Sequence, residues 1–229
     1  MAVKVGNGGP ESTSIPKPPP LPPAPPPFVP AFYTFRLDSF KITNTRALHE
    51  DTDCVTIGVK VGDQVFKPQT KSMGNLNNGT YRVGMQIGPV LVNKPDESIA
   101  FNYQIVNSGH KDPSDVAKQL EAGAVAALVK IFSLSTPWTA VLTVVGEFIM
   151  KLISLNCDGP CAVDQINVKG EDLWAWTHGV GTHSQTKFYT IDSQGGCGSS
   201  PEYYVSWSIV GAGLAPHVIP GVLVGHPAA

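Results

Sequence analysis

The strongest constraint on this chain is a set of segments in which apolar and polar residues alternate with period two. Tyr33, Phe35 and Leu37 form one apolar face, and Val55, Ile57, Val59 and Val61 form another, with Thr56, Gly58 and Lys60 between them. Tyr81, Val83, Met85 and Ile87 alternate with Arg82, Gly84 and Gln86, and Phe101, Tyr103 and Ile105 continue the series. Near the other end Tyr203, Val205, Trp207 and Ile209 oppose Tyr204, Ser206 and Ser208. Successive side chains of a strand point to opposite faces, so each segment reads as a strand buried on one face and wet on the other. Gly62-Asp63 and Asn77-Asn78-Gly79 supply turns between them. The pattern predicts a mainly β fold, an antiparallel β-sandwich.

In the middle the period changes. Asp112-Pro113-Ser114-Asp115 carries an N-cap, a proline at the first helical position and an acidic first turn. Val116, Leu120, Ala124, Ala127 and Ile131 then recur at helical spacing, and Ser135-Thr136-Pro137 ends that helix and caps a second, running to about Leu155 with Glu147 and Lys151 four residues apart. An αα-hairpin over about residues 113–155 is therefore expected inside the strand series. From Gly123 to Leu155 the only charges are Lys130, Glu147 and Lys151. A helix pair apolar almost all the way round is buried or in lipid. Neither half holds an unbroken apolar run of about 18 residues, the length that spans a bilayer. Packing on a sheet is the leading expectation, and release into a membrane by a pore-forming or toxin-like protein is the alternative.

Ten of the fifteen residues from Pro16 to Pro30 are proline, which removes backbone donors and fixes φ. Residues 1–30 are thus expected to be a polyproline II arm on a domain covering 31–229. At ~3.1 Å per residue the run of prolines would reach about 45 Å, enough to cross a subunit boundary. Lys17 stands ahead of Pro20-Leu21-Pro22-Pro23, where Pro20 and Pro23 form the PxxP spacing that aromatic grooves read. The charged fraction of 15% is well under the usual ~25%, so part of the surface is either uncharged or covered in an assembly. With a net charge of -2 the chain is not built for phosphate backbones, which excludes nucleic acid as an expected partner. The apolar tail from Leu214 to Val224, broken by Pro216 and Pro220, suits an edge or an interface. These features together predict a non-enzymatic assembly or binding module that forms a homo-oligomer through its arm and tail. Met1 to Ser14 has neither a basic start nor an apolar core, so no classical export signal is read there, and a cytoplasmic or non-classically exported protein is expected.

Several clusters are candidate sites. His49-Glu50-Asp51-Thr52-Asp53 puts carboxylates two apart before a strand, and hard cations want several such oxygens along one loop edge, with Asp158 and Asp192 in other loops able to join. Over this short loop alone the chain resembles the calcium edge of a C2-type sandwich. That resemblance implies bound calcium on Asp51, Asp53 and Asp158, against a plain turn in which Asp51 and Asp53 cap backbone amides. Trp174, Trp176 and His178 alternate along one face ahead of the Gly-rich stretch 178–183, as a platform for a glycan or another ligand, or as closure of the core. Cys157 and Cys161 flank Asp158-Gly159-Pro160, close enough to bridge in an oxidising compartment. Cys197 lies in a Gly-rich loop where a thiol could sit in a nest of backbone amides, and His183 or His110 would have to act as its base. A cysteine-dependent enzyme is accordingly a second alternative. No phosphate-binding loop, dinucleotide fingerprint, HExxH or GxSxG occurs, which disfavours the enzyme classes with strong signatures.

Overall fold

The computed structural model describes residues 27–47, 51–109, 111–130, 138–149, 158–191 and 200–214. Their elements are, in order, β1 (Ala31–Asn44), β2 (Asp51–Val61), β3 (Gln64–Val65), β4 (Gln69–Leu76), β5 (Gly79–Val92), β6 (Ser98–Asn107), α1 (Pro113–Lys130), α2 (Trp138–Ile149), β7 (Gly159–Lys169), α3 (Gly170–Thr177), β8 (Thr182–Thr190) and β9 (Glu202–Gly213). All pairings are antiparallel. One sheet has the order β5-β1-β9-β8; in the other, β2 lies between β6 and the pair β3 and β4, and β7 closes the far edge. The chain is an antiparallel β-sandwich with an inserted helical hairpin.

The alternating residues do what their period predicts. Tyr33, Phe35 and Leu37 of β1 point inward, a bulge after Leu37 shifts the register against both neighbours, and Phe40 and Ile42 resume the inward phase. One extra residue in a strand flips every later side chain, so the bulge is what lets one long strand serve the core at both ends. Phe101 of β6 meets Trp207 of β9 edge-on with ring centroids 6.2 Å apart and Phe35 of β1 at 5.8 Å, so aromatic rings from both sheets interlock in the core between them.

One expectation needs correction. β5 is half-buried as predicted, but β2 and β6 are buried on both faces. The reason is the hairpin: Val116, Leu120 and Ala127 of α1, with Val141, Val145 and Ile149 of α2, form a second core with Cys54, Val106 and Val163 on the outer face of the β2-β6-β7 sheet. Gly58 permits the close approach, because a Cβ there would lie 2.9 Å from the Leu128 side chain and 3.5 Å from Ala124. Asp112 caps α1 as expected, its Oδ1 accepting the Ser114 amide at 2.8 Å. Among the described residues, no helix is long and apolar enough to cross a membrane. The link between α1 and α2, Ile131 included, and residues 150–157 at the expected end of the second helix, with Lys151 and Cys157, lie outside the described residues. So do Lys17, Pro20, Leu21 and Pro23 of the arm, His49, Glu50, His110, Asp192, Cys197 and the tail beyond Leu214.

Candidate functional site

β6 and β7 pair from Asn107 opposite Gly159 at one end to Ser98 opposite Lys169 at the other. The two candidate regions occupy these opposite ends. At the Lys169 end the chain turns directly into α3, whose start is built by the loop before β6. The Gly170 amide donates to the Glu97 carbonyl at 2.9 Å, the Glu171 amide donates to Pro95 at 2.8 Å, and Asp172 accepts the Lys169 amide at 2.8 Å. Acidic residues in a first helical turn favour the helix over an extended chain, and here they outweigh the period-two appearance of the tryptophans. The expected single face of Trp174, Trp176 and His178 is therefore corrected. On a helix, residues two apart point nearly opposite ways. Trp174 turns in against Phe28, with ring centroids 6.2 Å apart, while Trp176 is 37% exposed and stacks on His183 at 4.4 Å. His178 ends the helix in the left-handed region at φ 50, its amide donating to the Trp174 carbonyl at 2.7 Å.

The result is a cavity of about 570 Å³ whose wall is Phe28, Pro95, Trp174 and Ala175 and whose polar side is Glu171, Asp172 and His178. Gly179, at φ 78, makes the aromatic wall possible: a Cβ there would sit 2.0 Å from the Trp174 ring. The indole Nε1 of Trp174 is buried, with no hydrogen-bond partner among the described residues. Trp174 and His178 thus share this cavity, and Trp176 belongs to a separate aromatic stack. Sequence reading missed Phe28 and Pro95; the acidic Glu171-Asp172 pair just before the tryptophans was the signal for the helix that gathers them.

At the other end, Asp51 and Asp53 lie within β2 rather than on a loop edge, and both are buried on its inward face. Tyr203 of β9 places its hydroxyl 2.8 Å from Asp51 Oδ2 and 2.8 Å from Asp53 Oδ2. A hydroxyl has one proton, so one of these bonds needs a proton from the carboxyl side. Asp53 supplies it: burial, and then the neighbouring Asp51 charge, push its pKa up from 3.8 to about 8. Asp51 accepts the amides of Arg46 at 2.7 Å and Ala47 at 2.8 Å and the side-chain amide of Asn107 at 3.1 Å. Of the two carboxylates expected to cap amides, Asp51 does so and Asp53 bonds Tyr203 instead.

Cys161 joins this cluster because the β6–β7 register shifts between Ile105 and Val106, leaving Cys161 as an extra inward residue 4.0 Å from Asp53 Oδ1. Burial, and then the charges of Asp53 and Asp51, hold its thiol well above the usual range, and burial raises Cys54 likewise. Both are free thiols, protonated and poor as nucleophiles. The expected bridge from Cys161 to Cys157 is not formed on the Cys161 side, and Cys157 lies outside the described residues. Asp51, Asp53 and Cys161 bring one potential ligand atom each within 4.8 Å, while Asp158 is not in that group. It is buried beside Gly109, where a Cβ would lie 2.4 Å from its Oδ1. A thiol and two carboxylates with the Tyr203 hydroxyl between them do not make the oxygen-rich, open set that calcium takes; the group holds a shared proton. A second buried network, in which Tyr103 bonds Tyr189 and Tyr189 donates to Asp164 at 2.6 Å, is closed by Lys187 at 2.6 Å from the same carboxylate and ties β7 to β8.

No protein-family model matches the chain, and no curated protein matches it in sequence.

Proposed function

We propose that the chain is a non-enzymatic assembly module in which the proline-rich arm of one copy docks in the Trp174 cavity of another. One observation carries this reading: the arm joins the fold at Phe28, and Phe28 is itself a wall of the cavity. Aromatic walls such as Trp174 and Phe28 are the chemistry that takes polyproline II segments, whose rings stack on them. Read as polyproline II, a run of prolines leaving Phe28 would not reverse within a few residues, so in this reading the occupant is the arm of a second copy. In that complex Pro20, Leu21 and Pro23 lie on Trp174, Phe28 and Pro95, and Lys17 meets Glu171. The present partner of Glu171 is Lys169 at 3.5 Å in an exposed pair of little energetic weight. The apolar tail from Leu214 to Val224 is the second contact in this reading.

The test is the solution mass of the full chain beside a chain lacking residues 1–26, by light scattering at several concentrations. A full chain that self-associates and a truncated chain that is folded and monomeric are expected. Equal masses would overturn the reading. A synthetic peptide of residues 15–27, added to the truncated chain, is expected to shift tryptophan fluorescence, and Trp174→Phe to abolish the shift.

A further inference from the structure

The hairpin covers the outer face of one sheet, and among the described residues no helix layer covers the outer face of the other, β5-β1-β9-β8. Strand register sets its residues in rows. Thr80, Lys41, Tyr204 and Phe188 stand side by side across the four strands, and Arg82, Ser39, Ser206 and Thr186 form the adjacent row. Tyr204 and Phe188 are 40% and 44% exposed, with ring centroids 4.8 Å apart. Around Tyr204 lies a shallow groove of about 310 Å³ lined by Ser39, Lys41, Thr80, Thr186 and Ser206. Thr186 and Ser206 already exchange a hydrogen bond at 2.8 Å, so the groove floor is a fixed pair of hydroxyls and not two free rotors.

Cations outnumber carboxylates on this face: Arg36, Lys41 and Arg82 stand with Asp38 and with Glu202, whose carboxylate accepts the Thr43 hydroxyl at 2.9 Å. Arg36 is matched by Asp38 at 3.4 Å, whereas Lys41 and Arg82 have no acidic partner within 4.0 Å among the described residues. On a chain of net charge -2 this is a local excess of positive charge. A ligand that fits must offer a flat apolar face to two aromatic rings, many hydroxyls to Ser and Thr side chains, and a few anionic groups to two cations. We propose that this face binds an acidic oligosaccharide: the C–H face of a sugar ring stacks on Tyr204, ring hydroxyls bond Ser39, Thr80 and Thr186, and a uronate carboxylate or a sulfate pairs with Lys41 or Arg82. A nucleic acid would ask for more cations than two to neutralise successive phosphates. The proposal is independent of arm docking, which uses the α3 cavity.

The probe is a galacturonic acid hexamer titrated into the full chain by calorimetry at low salt, with a neutral galactose hexamer and a uridine oligonucleotide as comparisons. Binding of the acidic hexamer is expected, weakened about ten-fold or more by Tyr204→Ala, an exposed position whose loss the core does not register. Lys41→Ala is expected to weaken binding and flatten its salt dependence. Neutral hexamer binding at the same strength would overturn the role of charge. Binding unchanged in Tyr204→Ala would overturn the site. No binding of the acidic hexamer, or stronger binding of the oligonucleotide with the same Tyr204 dependence, would overturn the ligand class.

Discussion

Asp53 offers a direct test of the buried cluster, since it trades a folded-state pKa of about 8 against 3.8 for a free carboxyl. A folded pKa raised above the unfolded one means that the folded chain holds the proton more tightly. The associated stability is fully present below pH 3.8, falls as pH rises toward 8, and is gone above it. The separation is about four pH units at ~1.4 kcal/mol each, so the full loss is roughly 6 kcal/mol, and water entry on ionisation takes back part of it. Asp53→Asn has no proton to lose. Its amide can donate to the Tyr203 hydroxyl as the acid does, and Tyr203 can still donate to Asp51. The expected result is a variant within ~1 kcal/mol of the parent near pH 4.5 and more stable than it by about 2–4 kcal/mol at pH 9. The assay is urea unfolding of both chains at four pH values, reading the difference so that groups common to both cancel. Parallel profiles would refute the shared-proton arrangement. A variant that is less stable at every pH by a constant amount would show that Asp53 is ionised in the fold and that the Tyr203 hydroxyl serves it as donor.

Two further substitutions test the two regions around the core. Gly179→Ala puts a Cβ 2.0 Å from the Trp174 ring at a positive φ, so it is expected to cost about 2–4 kcal/mol in thermal or urea unfolding and to move Trp174 in near-ultraviolet circular dichroism; an unchanged spectrum would mean the ring is not seated as described. Leu120→Ala removes a fully buried side chain between α1 and the sheet and is expected to cost about 2–5 kcal/mol, whereas a loss under about 1 kcal/mol would mean that the hairpin is off the sheet in solution and would favour the membrane reading.

How much of this was legible in the sequence depends on the range over which each signal acts. Alternation is local, so β1, β2, β5, β6 and β9 and the N-cap of α1 could be read in order, whereas β3, β4, β7 and β8, whose apolar and polar residues do not alternate as cleanly, were not. That β2 and β6 are buried twice could not be read from their own residues, because Val55 to Val61 has the same period whether its second face meets water or α1. The eight residues of α3 make barely two turns, too few for a helical period to outvote two tryptophans spaced two apart; only the acidic start distinguished it. Asp51 and Asp53 were the most readable of the misread residues. They continue, two by two, the inward phase of Val55, Ile57 and Val59, so the same alternation that identified the strand places both carboxylates in the core. Their partner was out of reach. Tyr203 is 150 residues from Asp53 along the chain, and Cys161 faces them only because of the register shift between Ile105 and Val106. A slip of β2 by one residue would turn both carboxylates toward the hairpin and leave the Tyr203 hydroxyl unpaired in the core. The cluster is therefore a register constraint. It makes sense beside the open cavity at the far end of β7, because a wall made of Trp174, Phe28 and Pro95 keeps its shape only if the strands that carry it cannot slide.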